Sequence, residues 1–149
     1  MDMMFRVVPE LCVACGKCEL ACAFAHGRDG APGVSRIRVY KCGLEAGTPI
    51  VCLQCGNAAC AAACPVGAIK WNVDTGALEV DDEKCVNCHM CVAACPFGNV
   101  VAEPALPKVA KCDLCGGSPR CVAFCPTGAI QYVPVAVAVK HPDDVASGR

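Results

Sequence analysis

Apolar and polar positions along this chain change over in short bursts. From Val34 to Tyr40 they alternate, with Arg36 and Arg38 on one side and Ile37, Val39 and Tyr40 on the other. That period-two pattern predicts a strand, entered through a loop from Ala23 that holds Gly27, Gly30, Pro32 and Gly33. Ala68 to Val73 and Gly76 to Val80 read as a hairpin around Asp74-Thr75-Gly76, and Asp81 to Glu83 carry the chain onward. The Ala-rich stretches Ala61 to Ala63, Val92 to Ala94 and Val122 to Phe124 read as short helices. Val101 to Lys111, with Pro104 and Pro107, reads as an extended link. Gly116, Gly117, Ser118 and Pro119 have the composition of a flexible turn. The tail, Tyr132 to Val139, alternates valine and alanine around Pro134. It reads as an edge strand, or as a cover for a partner or a second copy. Val133 to Val139 is too short for a membrane span.

The bursts are punctuated by cysteine. Sixteen of seventeen cysteines form four runs: Cys12, Cys15, Cys18, Cys22; Cys52, Cys55, Cys60, Cys64; Cys85, Cys88, Cys91, Cys95; and Cys112, Cys115, Cys121, Cys125. The last three runs end in Cys-Pro, whereas Ala23 follows Cys22. The third run is a full C-x2-C-x2-C-x3-C-P string, the spacing that holds cubane iron–sulfur clusters. The second and fourth runs are wider in the middle. An internal repeat joins Cys64-Pro65-Val66-Gly67-Ala68-Ile69 to Cys125-Pro126-Thr127-Gly128-Ala129-Ile130, with Cys95-Pro96-Phe97-Gly98-Asn99-Val100 as a variant. Four runs of four thiolates predict four [4Fe-4S] clusters, and a chain so loaded reads as a wire for electrons.

Composition narrows the choice. Apolar residues make up 55% of the 149, but cysteine inflates that figure and aromatics are only 5%. Cluster ligation must therefore replace much of a conventional core, and the apo-chain is expected to be largely unfolded. Disulfides fit poorly: Cys12 comes too early for a preceding secretory signal, and the regular gaps suit convergence on one cluster. Structural zinc, the better rival, usually joins two separated cysteine pairs. The formal charge of −1 falls to about −9 once sixteen thiolates and four cubane cores are counted. Such a charge disfavours nucleic acid, and the expected compartment is the cytoplasm.

In the bacterial two-cluster arrangement the fourth cysteine of each run crosses to the other cluster. Spacing leaves the pairing of runs open. Neighbouring pairing joins first to second and third to fourth; nested pairing joins second to third and first to fourth. The hairpin-sized link from Cys64 to Cys85 supports second with third.

From about Val8 to Tyr132 the chain resembles the four-cluster ferredoxin-like electron-transfer subunits of molybdenum or tungsten oxidoreductases, some hydrogenases and carbon monoxide dehydrogenase. The opening Pro9-Glu10-Leu11-Cys12-Val13-Ala14-Cys15-Gly16-Lys17-Cys18-Glu19-Leu20-Ala21-Cys22 is most similar to the small subunit of tungsten aldehyde oxidoreductases. The resemblance implies an α+β fold of tandem, nested bacterial-type 2[4Fe-4S] modules, with short strands and helices around the clusters. It implies the ligand sets Cys12, Cys15, Cys18, Cys125; Cys112, Cys115, Cys121, Cys22; Cys52, Cys55, Cys60, Cys95; and Cys85, Cys88, Cys91, Cys64. The implied division is residues 1–50, an inner module at 51–100, a linker and fourth run at 101–132 packed on the first run, and a tail at 133–149. The implied partner is a large molybdenum- or tungsten-containing catalytic subunit. Further partners are a flavin-containing subunit, a soluble ferredoxin, or other copies of the chain in a longer wire. The alternatives are a free polyferredoxin, or the electron-transfer subunit of a hydrogenase, formate dehydrogenase or carbon monoxide dehydrogenase.

Ala23 in place of proline is expected to leave ligation intact, so Ala23→Pro should keep its clusters while loss of Cys22 should not. Amides near Gly16, Gly56, Gly98 and Gly116 are candidate donors to cluster sulfur. Cys42 reads as a spare thiol beside the predicted strand, with a replacement ligand or a subunit contact as the sharper alternatives. His89 reads as a surface or supporting group, because four cysteines already serve its run. His26 and His141 read as solvent-facing, and Trp71 as hairpin packing. Lys17, Lys84 and Lys111 sit near ligand loops, either moderating negative charge or simply solvated. The chain carries no dinucleotide fingerprint, Walker loop or convincing acid–base pair, so no catalytic residue is assigned.

Overall fold

The computed structural model describes residues 2–138. The chain runs β1 (Met3–Val7), a 3-10 turn (Pro9–Leu11), α1 (Lys17–Ala25), β2 (Arg38–Lys41), β3 (Gly47–Ile50) and α2 (Ala59–Ala62). It continues through β4 (Ile69–Asn72), β5 (Ala77–Val80), α3 (Met90–Ala94), α4 (Leu114–Gly117), α5 (Arg120–Ala123), β6 (Ile130–Pro134) and α6 (Val135–Ala138). The strands form three two-stranded antiparallel sheets.

The predicted hairpin is present as β4–β5, with Trp71 opposite Leu78. Its turn is an Asx turn: Asp74 N–H donates to Asn72 Oδ1 at 3.0 Å, and Gly76 N–H to the Asn72 carbonyl at 2.9 Å. Thr75 Oγ1 donates to Glu79 at 2.6 Å and ties the turn to β5. Trp71 stays half exposed.

Elsewhere the sequence pattern needs correction. The Val34–Tyr40 strand begins only at Arg38, because Ser35 turns the backbone back on itself: its hydroxyl donates to the Ile37 carbonyl and accepts from Ile37 N–H. Ile37 is buried and Tyr40 exposed. The three Ala-rich helices are single turns that start two residues earlier than expected, at Ala59, Met90 and Arg120. Each stops before Cys-Pro, since the residue preceding proline is pushed out of the helical region; Cys95 takes φ −72 and ψ 113. The link from Val101 is a closed excursion, with Val101 and Ala110 exchanging backbone hydrogen bonds at 2.8 Å. The tail strand is β6, which ends at Pro134 and passes into α6; Val139 and His141 lie outside the described residues.

The unforeseen pairing is β1 with β6, from Met3 opposite Pro134 to Val7 opposite Ile130. It brings the beginning of the chain to the segment that follows the fourth cysteine run. Two apolar cores result. One gathers Phe5, Ile37, Val51, Ala77, Leu114 and Ile130 with Cys18, Cys22 and Cys121. The other gathers Ala68, Ile69, Leu78, Val100 and Val109 with Cys60, Cys85 and Cys91. Phe5 and Tyr132 pack with tilted rings across β1–β6, centroids 5.3 Å apart.

Candidate metal centres

Every cysteine of the chain lies within the described residues, and all seventeen are free thiols. Three cavities are each lined by four of them. Cys12, Cys15 and Cys18 share one with Cys125. Cys52, Cys55 and Cys60 share another with Cys95. Cys85, Cys88 and Cys91 share the third with Cys64. Their empty volumes are alike, about 290, 370 and 310 Å3 in that order. The remaining thiols also converge: burial pushes Cys121 up to about 12, and the neighbouring Cys112, Cys22 and Cys115 act in the same direction. In each gathering, three cysteines come from one run and the fourth from another. Cys42 is exposed beside β2–β3, where its N–H donates to the Ala46 carbonyl, and lines none of the three cavities.

A shared local backbone does this. In each run the residue just before the second cysteine is left-handed: Ala14 (φ 54), Gln54 (φ 50), Asn87 (φ 56) and Leu114 (φ 55). In the first and third runs a second left-handed residue follows the cysteine, Gly16 (φ 72) and His89 (φ 63), an alternation that turns successive N–H groups into a nest favouring anions; in the fourth run Leu114, Cys115 and Gly116 are left-handed in succession. After the fourth cysteine, proline and then a left-handed Gly67 or Gly128 (φ 61 and 70) fold the chain back over sulfur.

The third and fourth cysteines differ in setting. Burial raises Cys18 to about 11, and also raises Cys60 and Cys91. In the fourth run both the third cysteine, Cys121, and the first, Cys112, reach about 12 for the same reason. Fourth cysteines receive backbone donors. Ala68 N–H lies 3.2 Å from Cys64 Sγ and is the main cause of that thiol's lowering. Asn99 N–H lies 3.4 Å from Cys95 Sγ. Cys125 is lowered despite opposing burial, through N–H groups of Ile130 and Thr127. At Cys22 burial again opposes, and is outweighed by His26 and by Arg36 N–H at 3.2 Å.

His26 is not solvent-facing; its side chain is 12% exposed. Nδ1–H donates to the Cys22 carbonyl at 2.8 Å and Nε2–H to Asp113 at 3.0 Å. Acceptors on both nitrogens favour the imidazolium. Asp113 chiefly holds His26 up at about 10, and His26 chiefly holds Asp113 down at about 2. Asp113 also accepts from Cys115 N–H at 2.9 Å, so it orders the loop between two cysteines. The donor atoms of His26, Asp113 and Cys115 lie within 4.8 Å of one another. Nothing in the sequence flagged Asp113; the available signal for His26 was its place four residues after Cys22, one helical turn on.

Residues 46–134 match the family model of the 4Fe-4S dicluster domain, and residues 9–25 match that of a 4Fe-4S binding domain. The chain belongs to the 4Fe-4S dicluster domain family. Among relatives, it is 42% identical to the aliphatic sulfonate oxidoreductase polyferredoxin-like subunit of Pyrococcus furiosus, over 80% of this chain and 69% of that one. It is 38% identical to the putative electron transport protein YsaA of Escherichia coli, over 87% and 88%. It is 35% identical to the NADH-dependent phenylglyoxylate dehydrogenase subunit beta of Aromatoleum evansii, over 86% of this chain but 29% of that one.

The residues of this dicluster chain fit the group its family is named for. Its thiols are free, four sulfurs line each cavity, and backbone N–H groups point at sulfur. No helix among the described residues is long and apolar enough to cross a membrane.

Proposed function

We propose that this chain is an electron-transfer subunit holding four [4Fe-4S] clusters, in nested two-cluster modules, within an oxidoreductase complex. The convergence of three cysteines from one run with a fourth from another carries this reading. The ligand sets are Cys12, Cys15, Cys18, Cys125; Cys22, Cys112, Cys115, Cys121; Cys52, Cys55, Cys60, Cys95; and Cys64, Cys85, Cys88, Cys91. The outer module joins residues 1–50 to 101–132, and the inner one spans 51–100. Bound cubanes supply one-electron transfer at potentials set by charge, hydrogen bonds and exposure. The chain's own part is to fix thiolates, exclude water and aim N–H groups at sulfur.

The partner is a large catalytic subunit carrying tungsten or molybdenum, in the cytoplasm. The sequence resemblance supports the metal. The description of the Pyrococcus furiosus relative as an oxidoreductase's polyferredoxin-like subunit supports the association. A free electron carrier is the second reading, favoured by the description of YsaA as a putative electron transport protein. Native purification under anaerobic conditions, with metal and sulfide analysis of every copurifying chain, decides between them. About sixteen irons per chain are expected, with a larger tungsten- or molybdenum-bearing subunit alongside. Zinc in place of iron would overturn the cluster reading, and isolation of the chain alone would favour the free carrier.

A further inference from the structure

Lys111 is the one buried charged side chain among the described residues, 7% exposed. Its ammonium donates to the Leu78 carbonyl at 2.7 Å and to Gln54 Oε1 at 3.1 Å. Gln54 in turn donates to the Cys112 carbonyl at 2.9 Å and accepts from Leu78 N–H at 2.9 Å. These bonds knit the second cysteine run, the β4–β5 hairpin and the fourth run together. They supply dipoles and no counter-charge, and none of the ion pairs among the described residues includes Lys111. A cation taken out of water without an opposite charge is strongly unfavourable. The opposite charge must come from what the surrounding cysteines bind.

Lys111 lines the cavity of Cys52, Cys55, Cys60 and Cys95. Lys111 also precedes Cys112 of the neighbouring set in the chain, and Gln54 bridges its ammonium to the Cys112 carbonyl. Gln54 itself sits between Cys52 and Cys55, so its bond to the Cys112 carbonyl brings the two runs together. The two sets are thus adjacent across Lys111. A cubane with four thiolates is an anion, and one electron makes it more so.

We propose that Lys111 is the shared counter-ion of the two middle clusters, those held by Cys52, Cys55, Cys60, Cys95 and by Cys22, Cys112, Cys115, Cys121. It raises their reduction potentials above those of the clusters held by Cys12, Cys15, Cys18, Cys125 and by Cys64, Cys85, Cys88, Cys91. Electrons therefore settle at the joint between the modules. Lys111 is a positioning and tuning residue, and the inference rests on the four-cluster reading.

The test is an EPR-monitored redox titration of the anaerobically purified full chain. Iron content and cubane signals of the wild type come first; their absence would sink the four-cluster reading without bearing on Lys111. With those signals present, Lys111→Met is expected to shift two midpoints to more negative potential and leave two in place. Lys111→Arg, which keeps the charge, is expected to hold all four near their wild-type values. Gln54→Glu sets a carboxylate beside the ammonium and neutralises it in place, so the same two midpoints are expected to fall. If Lys111→Met loses iron, Gln54→Glu decides alone. Unmoved midpoints in the deciding variant, or an equal shift of all four, would overturn the proposal. So would equal shifts in Lys111→Met and Lys111→Arg, which mark a purely structural role.

Discussion

Ala14, Gln54, Asn87 and Leu114 do the same backbone work with four different side chains. No glycine marks the position, so nothing but the C-x2-C spacing itself points to it in the sequence. Asn87 is the exposed case, which separates backbone strain from packing. A β-branched residue in the left-handed region costs about 1–2 kcal/mol, whereas asparagine is tolerant there. Asn87→Val is therefore expected to lower the temperature at which cluster absorbance bleaches, and Asn87→Gly to leave it close to wild type. His26 offers a pH-resolved test. Its folded value, about 10 against an ordinary 6.5, means the ion pair stabilises fully below pH 6.5 and fades as pH rises through about 10. Asp113, about 2 against 3.8, sets the acid side: its contribution is full above 3.8 and lost as pH falls through about 2. The bleaching temperature of His26→Gln should then fall furthest below wild type between those limits, near pH 4 to 6.5, and converge with it above pH 10. A constant gap across that range would show that the imidazolium is not what matters.

At the scale of elements, what could be read was what is local. The β4–β5 hairpin was legible because Asp74-Thr75-Gly76 closes it within a few residues. The one-turn helices were legible in place but not in extent, because cysteine geometry and proline set their ends, not an apolar period. β1 and β6 were hard to pair because more than 120 residues separate them and Phe5 is the one fully buried position of β1. The helix α1 was missed for an instructive reason. With no proline after Cys22, it runs on for a further turn to Ala25, and His26 caps it. Ala23 is therefore a helix-interior residue, and its carbonyl accepts from Gly33 N–H at 2.8 Å. This revises the expectation that Ala23→Pro is harmless. Proline there removes an N–H and drives its ring into the Glu19 carbonyl, at about 3 kcal/mol. Ala23→Pro should bleach at lower temperature than wild type and lose iron from the Cys22 set first. An Ala23→Pro protein indistinguishable from wild type in iron content and bleaching would show that α1 is dispensable.

For the whole molecule, the decisive fact is how little holds it together without ligation. Among the described residues the largest fully buried side chains are only Ile37, Leu114 and Ile130. The longest helix among the described residues has nine residues, below the roughly 12–15 that make an isolated helix even marginal. Each sheet has two strands, and a lone two-stranded hairpin is marginal in water. Six cysteines sit within the two cores, so the sulfur that must bind metal is also the packing. In the proposed ligand sets, bonds from four sulfurs to one cluster would join Cys18 to Cys125 and Cys64 to Cys85, reinforcing the slender β1–β6 pairing and the packing of α1 on α5. Removing iron and sulfide under reducing conditions should therefore leave a chain with no cooperative thermal transition in far-ultraviolet circular dichroism. Returning both should restore one. Because burial raises Cys18, Cys112 and Cys121 well above the usual thiol range, ligation must release their protons, and reassembly should weaken as pH falls. A stripped chain that still melts cooperatively would mean that the two small cores suffice, and that the clusters are guests in a fold which stands without them.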